Sequence, residues 1–347
     1  MLSCGSNIIG YKKYACANLD CIHTKTVAFS CKSRFCPTCG KVATDKWIDN
    51  QKNILPKTKW QHITLTMPDT LWGFFAQHRE LLNNLSKIAA DIISKLASKR
   101  QIKVGVFTAL HTFGHDLKWN VHIHLSVTMG GLTEHNTWKD IRFSKKAIMP
   151  MWRYAIIDFL RKQSKAGHIK TSNQFLDQEY QKNWIVHLAK PTKSAWRTVS
   201  YLGRYLKRPP LPLSKLLHYD GKQVIFNFID RNDNTKRKAT MDIEVFLDKF
   251  TQHIPDKGFR MIRYYGFLAN AVRGKLLPLV YQLLNQSIKN QTMLGWRVLM
   301  KKTFNIDPLQ CILCGHELAF VGAVFGMRHS ELRQHHQALA NAQIIHS

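Results

Sequence analysis

The stretch "NVHIHLSVTMGG", residues 120–131, alternates polar and apolar residues. Side chains along a strand point to opposite faces in turn. His122, His124 and Ser126 therefore share one face, and Val121, Ile123, Leu125 and Val127 share the other. The aliphatic face predicts a packed core, and the histidine face predicts something polar opposite it. The preceding run "VGVFTALHTF" (104–113) also reads as a strand, and "GHDLKWN" (114–120) between them is rich in turn formers. A hairpin whose turn is centred between Asp116 and Leu117 sets His111 opposite His122. All three imidazoles then line one face, whereas a slip of one residue would turn His111 away. Three imidazoles can hold a divalent ion and leave positions open for water or a phosphate oxygen. The competing reading is a structural pair, since the chain has 17 histidines and one i, i+2 pair can arise by chance.

Working outward, "WQHITLTM" (60–67) alternates as a strand, and residues 71–99 carry apolar positions three and four apart, which predicts one long amphipathic helix. A helix near 148–163, a polar stretch and a short strand at 184–189 follow. A further helix begins at Pro191 and stops before Pro209 and Pro210. "QVIFNFID" and "KRKATMDIEVFL" read as a hairpin running into a helix. Alternating strands and helices with hairpin connections predict an α+β fold. The parts expected are a small cysteine-rich module at 1–50, an antiparallel-sheet domain with helices on one face at 55–255, and a mainly helical C-terminal region and tail at 256–347.

Composition bounds the partners. Lys and Arg number 51 against 22 Asp and Glu, a formal charge of +29. That excess favours a polyanion through counterion release, with nucleic acid ahead of an anionic membrane surface. No apolar run approaches the roughly 20 residues that span a bilayer, and the N-terminus lacks the apolar core of a signal peptide. The expectation is a cytosolic protein that faces DNA or RNA.

Six of the eight cysteines lie between Cys4 and Cys39. Such clustering in a reducing compartment points to metal rather than disulfides. Cys16-x4-Cys21 and Cys36-x2-Cys39 are two close pairs separated by fourteen residues, a spacing that supplies four thiolates to a structural Zn²⁺. Cys4, Cys31 and His23 are further candidates, for a second site or as replacements, and each also reads as a small buried residue. Lys32 and Arg34 in "SCKSRFCPTCG" (30–40) are expected to present to nucleic acid. "CILCGH" (311–316) is half a site on its own, with a reduced structural pair as the other reading of Cys311 and Cys314.

"PTKSAWRTVSYLGRYLKR" (191–208), projected at about 100° per residue, puts Ala195, Val199, Leu202 and Leu206 on one stripe. Lys193, Arg197, Arg204 and Arg208 fall opposite it. Tyr201 and Tyr205, four apart, are neighbours on the flank. A phenol can act as a nucleophile on a phosphodiester when a divalent ion offsets the developing charge. Plain amphipathic packing is the competing reading of the two tyrosines.

A His-apolar-His strand followed by a helical Tyr-x3-Tyr resembles the HUH endonucleases, which nick single-stranded DNA through a metal-assisted tyrosine. More narrowly, "SCKSRFCPTCG", "LHTFGHDLKWNVHIHLSV" (110–127), "YLGRYLKR" (201–208) and "HIPDKGFRMIRYYGFLA" (253–269) are similar to transposases of the insertion sequence 91 family. The resemblance implies His122 and His124 as ligands of Mg²⁺ or Mn²⁺ and Tyr201 and Tyr205 as nucleophiles. It implies an N-terminal zinc domain and a rolling-circle route through a 5′-phosphotyrosine. The third ligand varies in related nucleases; His111 is the choice here, with Asp116 and His115 as alternatives. Lys193, Arg197, Arg204, Lys207 and Arg208 would hold the strand. Implied with this are single-stranded DNA at element ends, no membrane, and a cytoplasmic, nucleoid-associated protein. A replication initiator or relaxase would share the chemistry, and a zinc-finger regulator without catalysis is a rival of another class.

Overall fold

The computed structural model describes residues 3–114, 116–193, 199, 200, 203, 210–230, 233–287, 294–328, 330–335, 337 and 338. The chain divides into two compact units. Residues 1–46 and 292–347 make one, and residues 47–291 make the other.

In the larger unit an antiparallel sheet of six strands carries the histidines. The strands are β3 (Trp60–Thr66), β4 (Ile102–Phe113), β5 (Trp119–Thr133), β6 (Trp138–Asp140), β7 (Val186–Leu188) and β11 (Ile262–Gly266). Their order is β11-β4-β5-β3-β7, and β6 pairs with the far end of β5. One face of this sheet is aliphatic. Ile63, Leu65, Val106, Leu110, Val121, Ile123, Leu125 and Val127 are all buried there. Helices α2 (Asp69–Gln77), α3 (Leu82–Ser98), α4 (Lys145–Lys165) and α5 (Asn173–Gln181) cover that face. In α3, Leu82, Leu85, Ala89, Ile93 and Ala97 are buried at steps of three and four, so one stripe meets the sheet. Trp152 of α4 is fully buried in the same cluster, and its indole N–H donates to the Thr66 carbonyl at 2.7 Å.

The opposite face is divided between two kinds of contact. At one end Trp60, Phe107 and Ala109 pack with Trp47, Val199, Phe267 and Val280, so helices cover part of this face as well. At the other end it presents histidines. A three-stranded sheet, β8 (Leu216–Tyr219), β9 (Gln223–Ile229) and β10 (Lys236–Asp242), runs into helix α6 (Ile243–Thr251) and has its own small core around Phe226.

In the smaller unit β1 (Gly10–Cys16) pairs with β2 (Thr24–Ala28) on one side and with β12 (Leu318–Phe325) on the other. The boundary between the units falls within α1 (Pro37–Ile54). The C-terminal region is helical at α7 (Asn270–Leu283) and α8 (Trp296–Phe304). It also adds an edge strand to each unit, β11 beside β4 and β12 beside β1. The division drawn from the sequence at 1–50, 55–255 and 256–347 thus differs from the two units, because both ends of the chain build the smaller one.

The helix expected at 71–99 is broken. His78 leaves the helical region (φ −114°, ψ 63°), and a 3-10 turn at Arg79–Leu81 separates α2 from α3. The cause is tertiary. Arg79 donates to the carbonyls of Gln252 and Ile254, each at 2.6 Å, and its guanidinium lies over the Trp119 ring. The polar stretch after α4 holds α5, whose N-cap Ser172 accepts from the Phe175 N–H at 3.1 Å.

Trp152→Ala removes the largest side chain between α4 and the sheet and leaves the Thr66 carbonyl without its indole donor. The expected loss is about 3–5 kcal/mol of unfolding free energy in urea denaturation. A loss well under 1 kcal/mol would mean that this contact does not hold the layer.

Candidate metal and nucleic-acid site

The pairing of β4 with β5 puts His111 directly opposite His122 and Ala109 opposite His124. The histidines pair as expected, but a register shift between His111 and Phe113 sets Phe113 opposite Trp119 and centres the turn itself on Asp116. All three imidazoles are buried, and their candidate ligand atoms lie within 4.8 Å of one another. Ring centroids are 5.2 Å apart for His111 and His122, 4.4 Å for His111 and His124, and 4.9 Å for His122 and His124. The aliphatic side chains of the same strands anchor the other face, so the sheet itself fixes the spacing.

Hydrogen bonds orient the rings. His122 Nδ1 is 2.9 Å from the Asn120 carbonyl oxygen. A carbonyl only accepts, so Nδ1 carries the proton and Nε2 is the lone-pair nitrogen. His124 Nδ1 is 3.0 Å from Nε2 of a fourth histidine, His62, whose Nδ1 is 3.2 Å from Ser126 Oγ. With Nε2 of His124 as the ligand atom, its Nδ1–H donates to His62, and the His62 Nδ1–H donates to Ser126. Thr64 Oγ1 lies 3.4 Å from both imidazoles. Burial, with the nearby His187 adding to it, lowers the His62 pKa to about 4, so the ring is neutral at pH 7. Outer-shell partners of this kind fix the tautomer and ring angle of a metal-ligating histidine. The donor set fits a divalent ion with open positions. It contributes no negative charge, so an anionic substrate could complete the site. His62 was missed in the sequence because its position is visible only once β3 is paired. The signal was its phase: His62, Thr64 and Thr66 share a face in "WQHITLT".

Of the alternative third ligands, Asp116 forms an ion pair with Lys118 at 3.2 Å, and His115 lies outside the described residues. So do Tyr201, Tyr205, Arg197, Arg204, Lys207 and Arg208. The helix expected from Pro191 does not begin there: residues 191–193 are not helical, and Thr192 instead bridges to Trp60, its N–H donating to the Trp60 carbonyl at 2.9 Å. Beyond Lys193, only Val199, Ser200 and Gly203 of that expected helix are described. All three are helical, and Val199 is buried against the cluster of Trp60 and Phe107. Lys193 is exposed.

The cysteines fall into two tetrads: Cys4, Cys31, Cys36 and Cys39, and separately Cys16, Cys21, Cys311 and Cys314. The single site expected from Cys16, Cys21, Cys36 and Cys39 is therefore divided. Strands β1 and β2 carry the Cys16 and Cys21 end away from the Cys36 turn, and Cys4 and Cys31 take their places beside it. In the first tetrad the sulfur separations are 3.6 Å for Cys4 and Cys39, 3.6 Å for Cys4 and Cys36, and 3.8 Å for Cys31 and Cys39. Four thiolates at Zn–S bonds of about 2.3 Å sit about 3.8 Å apart at the corners of a tetrahedron. The fit to zinc is good. Burial, opposed in part by the Cys31 N–H, pushes the Cys4 thiol up to about 12, so Cys4 would hold its proton until a metal displaces it. His23 lies beside the second tetrad, with Nδ1 3.1 Å from Cys311 Sγ. Lys32 is exposed. Arg34 is half-buried over the Phe35 ring, with Nε and Nη1 shielded from solvent, and this burial lowers its pKa to about 10. Its guanidinium is directed inward, contrary to the surface role expected of it.

Residues 105–275 match the family described as "Putative transposase", and residues 1–67 match the "Transposase zinc-binding domain". The chain is 40% identical to the "Transposase for insertion sequence element IS801" of Pseudomonas savastanoi pv. phaseolicola, over 99% of this chain and 87% of that protein. It is 24% identical to the "Putative transposase y4qJ" of Sinorhizobium fredii (strain NBRC 101917 / NGR234), over 82% of this chain and 77% of that one. No solved structure matches the chain.

Two outcomes follow from the histidine row. Mn²⁺ titrated into the zinc-loaded protein, with free Mn²⁺ read by electron paramagnetic resonance, should bind wild type and fail to bind His122→Ala or His124→Ala. His62→Ala should weaken binding by about 10–100-fold, the usual effect of losing an outer-shell partner. Unchanged affinity in His62→Ala would remove that residue from the site. The second outcome concerns pH. In the metal-free protein the unfolded chain protonates His62 near pH 6.5, and the native state does so only near 4. Stability should therefore fall as pH is lowered from about 6.5 to about 4, by on the order of 3 kcal/mol from this group. Urea unfolding at stepped pH should show a shallower slope for His62→Gln.

Proposed function

The chain belongs to the insertion sequence 91 family of transposases, and from that premise we propose that it nicks and rejoins single-stranded DNA at element ends through a 5′-phosphotyrosine. DNA is the partner of a transposase, and the charge of +29 suits it. Among the described residues no helix is long and apolar enough to cross a membrane. The observation that carries the reading is the row of three buried imidazoles within 4.8 Å on one strand face.

His111, His122 and His124 would hold Mg²⁺ or Mn²⁺, with His62 keeping His124 in its ligating tautomer. When bound, such an ion supplies Lewis-acid polarisation of a nonbridging phosphate oxygen. The phenol oxygen of Tyr201 or Tyr205 attacks phosphorus and the phenolic proton is lost. The bond from phosphorus to the 3′ oxygen breaks, and that oxygen takes up a proton as a free hydroxyl. The phosphate stays joined to the tyrosine and to the 5′ end, so the bond energy is kept for rejoining. The free 3′ hydroxyl could then prime replication in a rolling-circle route, and the second tyrosine could perform transfer at the target. Exposed Lys193 and its basic neighbours in sequence would hold the strand. The zinc-binding domain would locate the element end, and the protein would work on nucleoid DNA in the cytoplasm.

The test is a covalent adduct. Labelled single-stranded DNA from an element end, incubated with protein and Mg²⁺, should give a protein–DNA band on a denaturing gel. Tyr201→Phe or Tyr205→Phe should weaken or redirect it, and the double change should abolish it. His122→Ala should lower nicking by at least about 100-fold with DNA binding retained. An adduct undiminished in the double tyrosine variant would sink the nucleophile assignment. Duplex binding without any adduct, under either metal, would favour a regulator without catalysis.

A further inference from the structure

The zinc-binding family match ends at residue 67, and nothing in it accounts for Cys311 and Cys314. We propose that Cys16, Cys21, Cys311 and Cys314 form a second structural zinc site, which clasps the C-terminal segment onto the N-terminal strands and makes the zinc module a product of both chain ends.

The geometry begins with sulfur. Cys16 Sγ lies 3.3 Å from Cys314 Sγ, and Cys21 Sγ lies 3.7 Å from Cys311 Sγ. Both distances are far beyond the roughly 2.05 Å of a disulfide. They lie near the separation of about 3.8 Å in a zinc tetrathiolate. Each pair sits in a turn shaped for ligation. "CILCG" closes with the Gly315 N–H donating to the Cys311 carbonyl at 3.0 Å. Gly315 then takes φ +77°, which a side chain would resist. The Cys311 N–H donates to the His316 carbonyl at 2.8 Å, which makes the turn a closed knuckle. Opposite it, the Cys16 N–H donates to the His23 carbonyl at 2.9 Å, and the Cys21 N–H donates to the Asn18 carbonyl at 3.0 Å. The register of β1 with β12 sets Cys16 beside Leu318, and the Ala17 N–H donates to the Glu317 carbonyl. Arg297 braces the base of the knuckle through Asp307 at 2.8 Å and through Glu317.

His23 adds a charge argument. Its Nδ1 is 3.1 Å from Cys311 Sγ. An N–H donor there offsets the excess negative charge that four thiolates leave on a divalent ion. It also explains why a histidine two residues after Cys21 belongs to the site without being one of its four ligands.

Apolar packing does not suffice to hold these turns. Among the described residues, the buried members of the local cluster are Tyr14, Cys311 and Leu318. Leu19, Ile22, Ile312 and Leu313, at the tips of the two turns, are exposed. Small segments with so little core need a metal or a cross-link to stay folded.

The test is a per-cysteine protection map of the full-length, zinc-loaded protein, purified under reducing conditions. The native protein is labelled with N-ethylmaleimide and each cysteine is read by peptide mass spectrometry. The expected result is protection of all eight cysteines, lost when a strong chelator is added. Labelling of Cys16, Cys21, Cys311 and Cys314 with protection of the other four would overturn the proposal. So would a mass lower by four hydrogens, which marks two disulfides. Zinc is counted in parallel in a His122→Ala background, so that the histidine row adds no ion and failure of the catalytic reading is not confused with failure here. Two zinc ions per chain are expected, falling to one in Cys311→Ser/Cys314→Ser and to one in Cys36→Ser/Cys39→Ser. Retention of two ions after Cys311→Ser/Cys314→Ser would also overturn it.

Discussion

The register between β4 and β5 is the constraint on which the rest depends. His111 faces His122 because the aliphatic residues between them must all turn to the helical layer. Shifting the hairpin by one residue would take Val106 and Leu110 out of the helical layer to the face where Phe107 and Ala109 now pack, and would carry His111 out of the row. The site is thus held by the burial of its reverse side. Val121, Ile123, Leu125 and Val127 are each fully buried. An imidazole row on a sheet so anchored needs few bonds of its own to stay aligned.

That arrangement also sets the protonation of His62, the histidine beside the row. A cluster of imidazolium groups would be costly to bury, and burial instead favours the neutral form. His62 shows the effect, with its pKa lowered to about 4. Each neutral ring needs one donor partner and one acceptor partner. The Asn120 carbonyl accepts from His122, and the His62–Ser126 relay accepts from His124, which makes Nε2 the ligating nitrogen of each ring. The result is a binding face poor in charge, suited to an ion that brings its own charge and to a phosphodiester that offsets it.

The sequence made this face legible because strands encode it with period two. "VHIHLSV" and "VFTALHTF" need only the pleat and a turn length to bring three histidines together. His62 was harder, because its partner is 62 residues away and β3 could pair on either edge of the hairpin. The break at His78 was invisible for a related reason. Apolar spacing continues across it, and only the reach of Arg79 to the Gln252 and Ile254 carbonyls explains the turn. The α+β class was readable from element order, whereas β11 and β12 were hidden in a stretch dominated by helical spacing. The predicted nucleophiles and most of the predicted basic grip rest on spacing and resemblance, for they fall outside the described residues.

The cysteines show where reasoning from proximity fails. Spacing grouped Cys16 and Cys21 with Cys36 and Cys39, since ligands close in sequence usually serve one ion. The β1–β2 hairpin overrides this, because Cys16 and Cys21 lie at its connecting tip, a strand length away from its open ends, where Cys4, Cys31 and the Cys36 turn come together. Cys4 and Cys31 are then the nearest thiols to the Cys36 knuckle, and β12 brings Cys311 and Cys314 to the other pair. The spatial partner of Cys16 is 298 residues distant in sequence. Closing so long a loop adds about 0.6 kcal/mol for each doubling of length, since loop entropy grows only logarithmically. A strand pairing that already joins the chain ends removes most of that cost before any thiol meets another. The half-site at 311–316 was therefore a whole site whose other half the chain had supplied at its beginning.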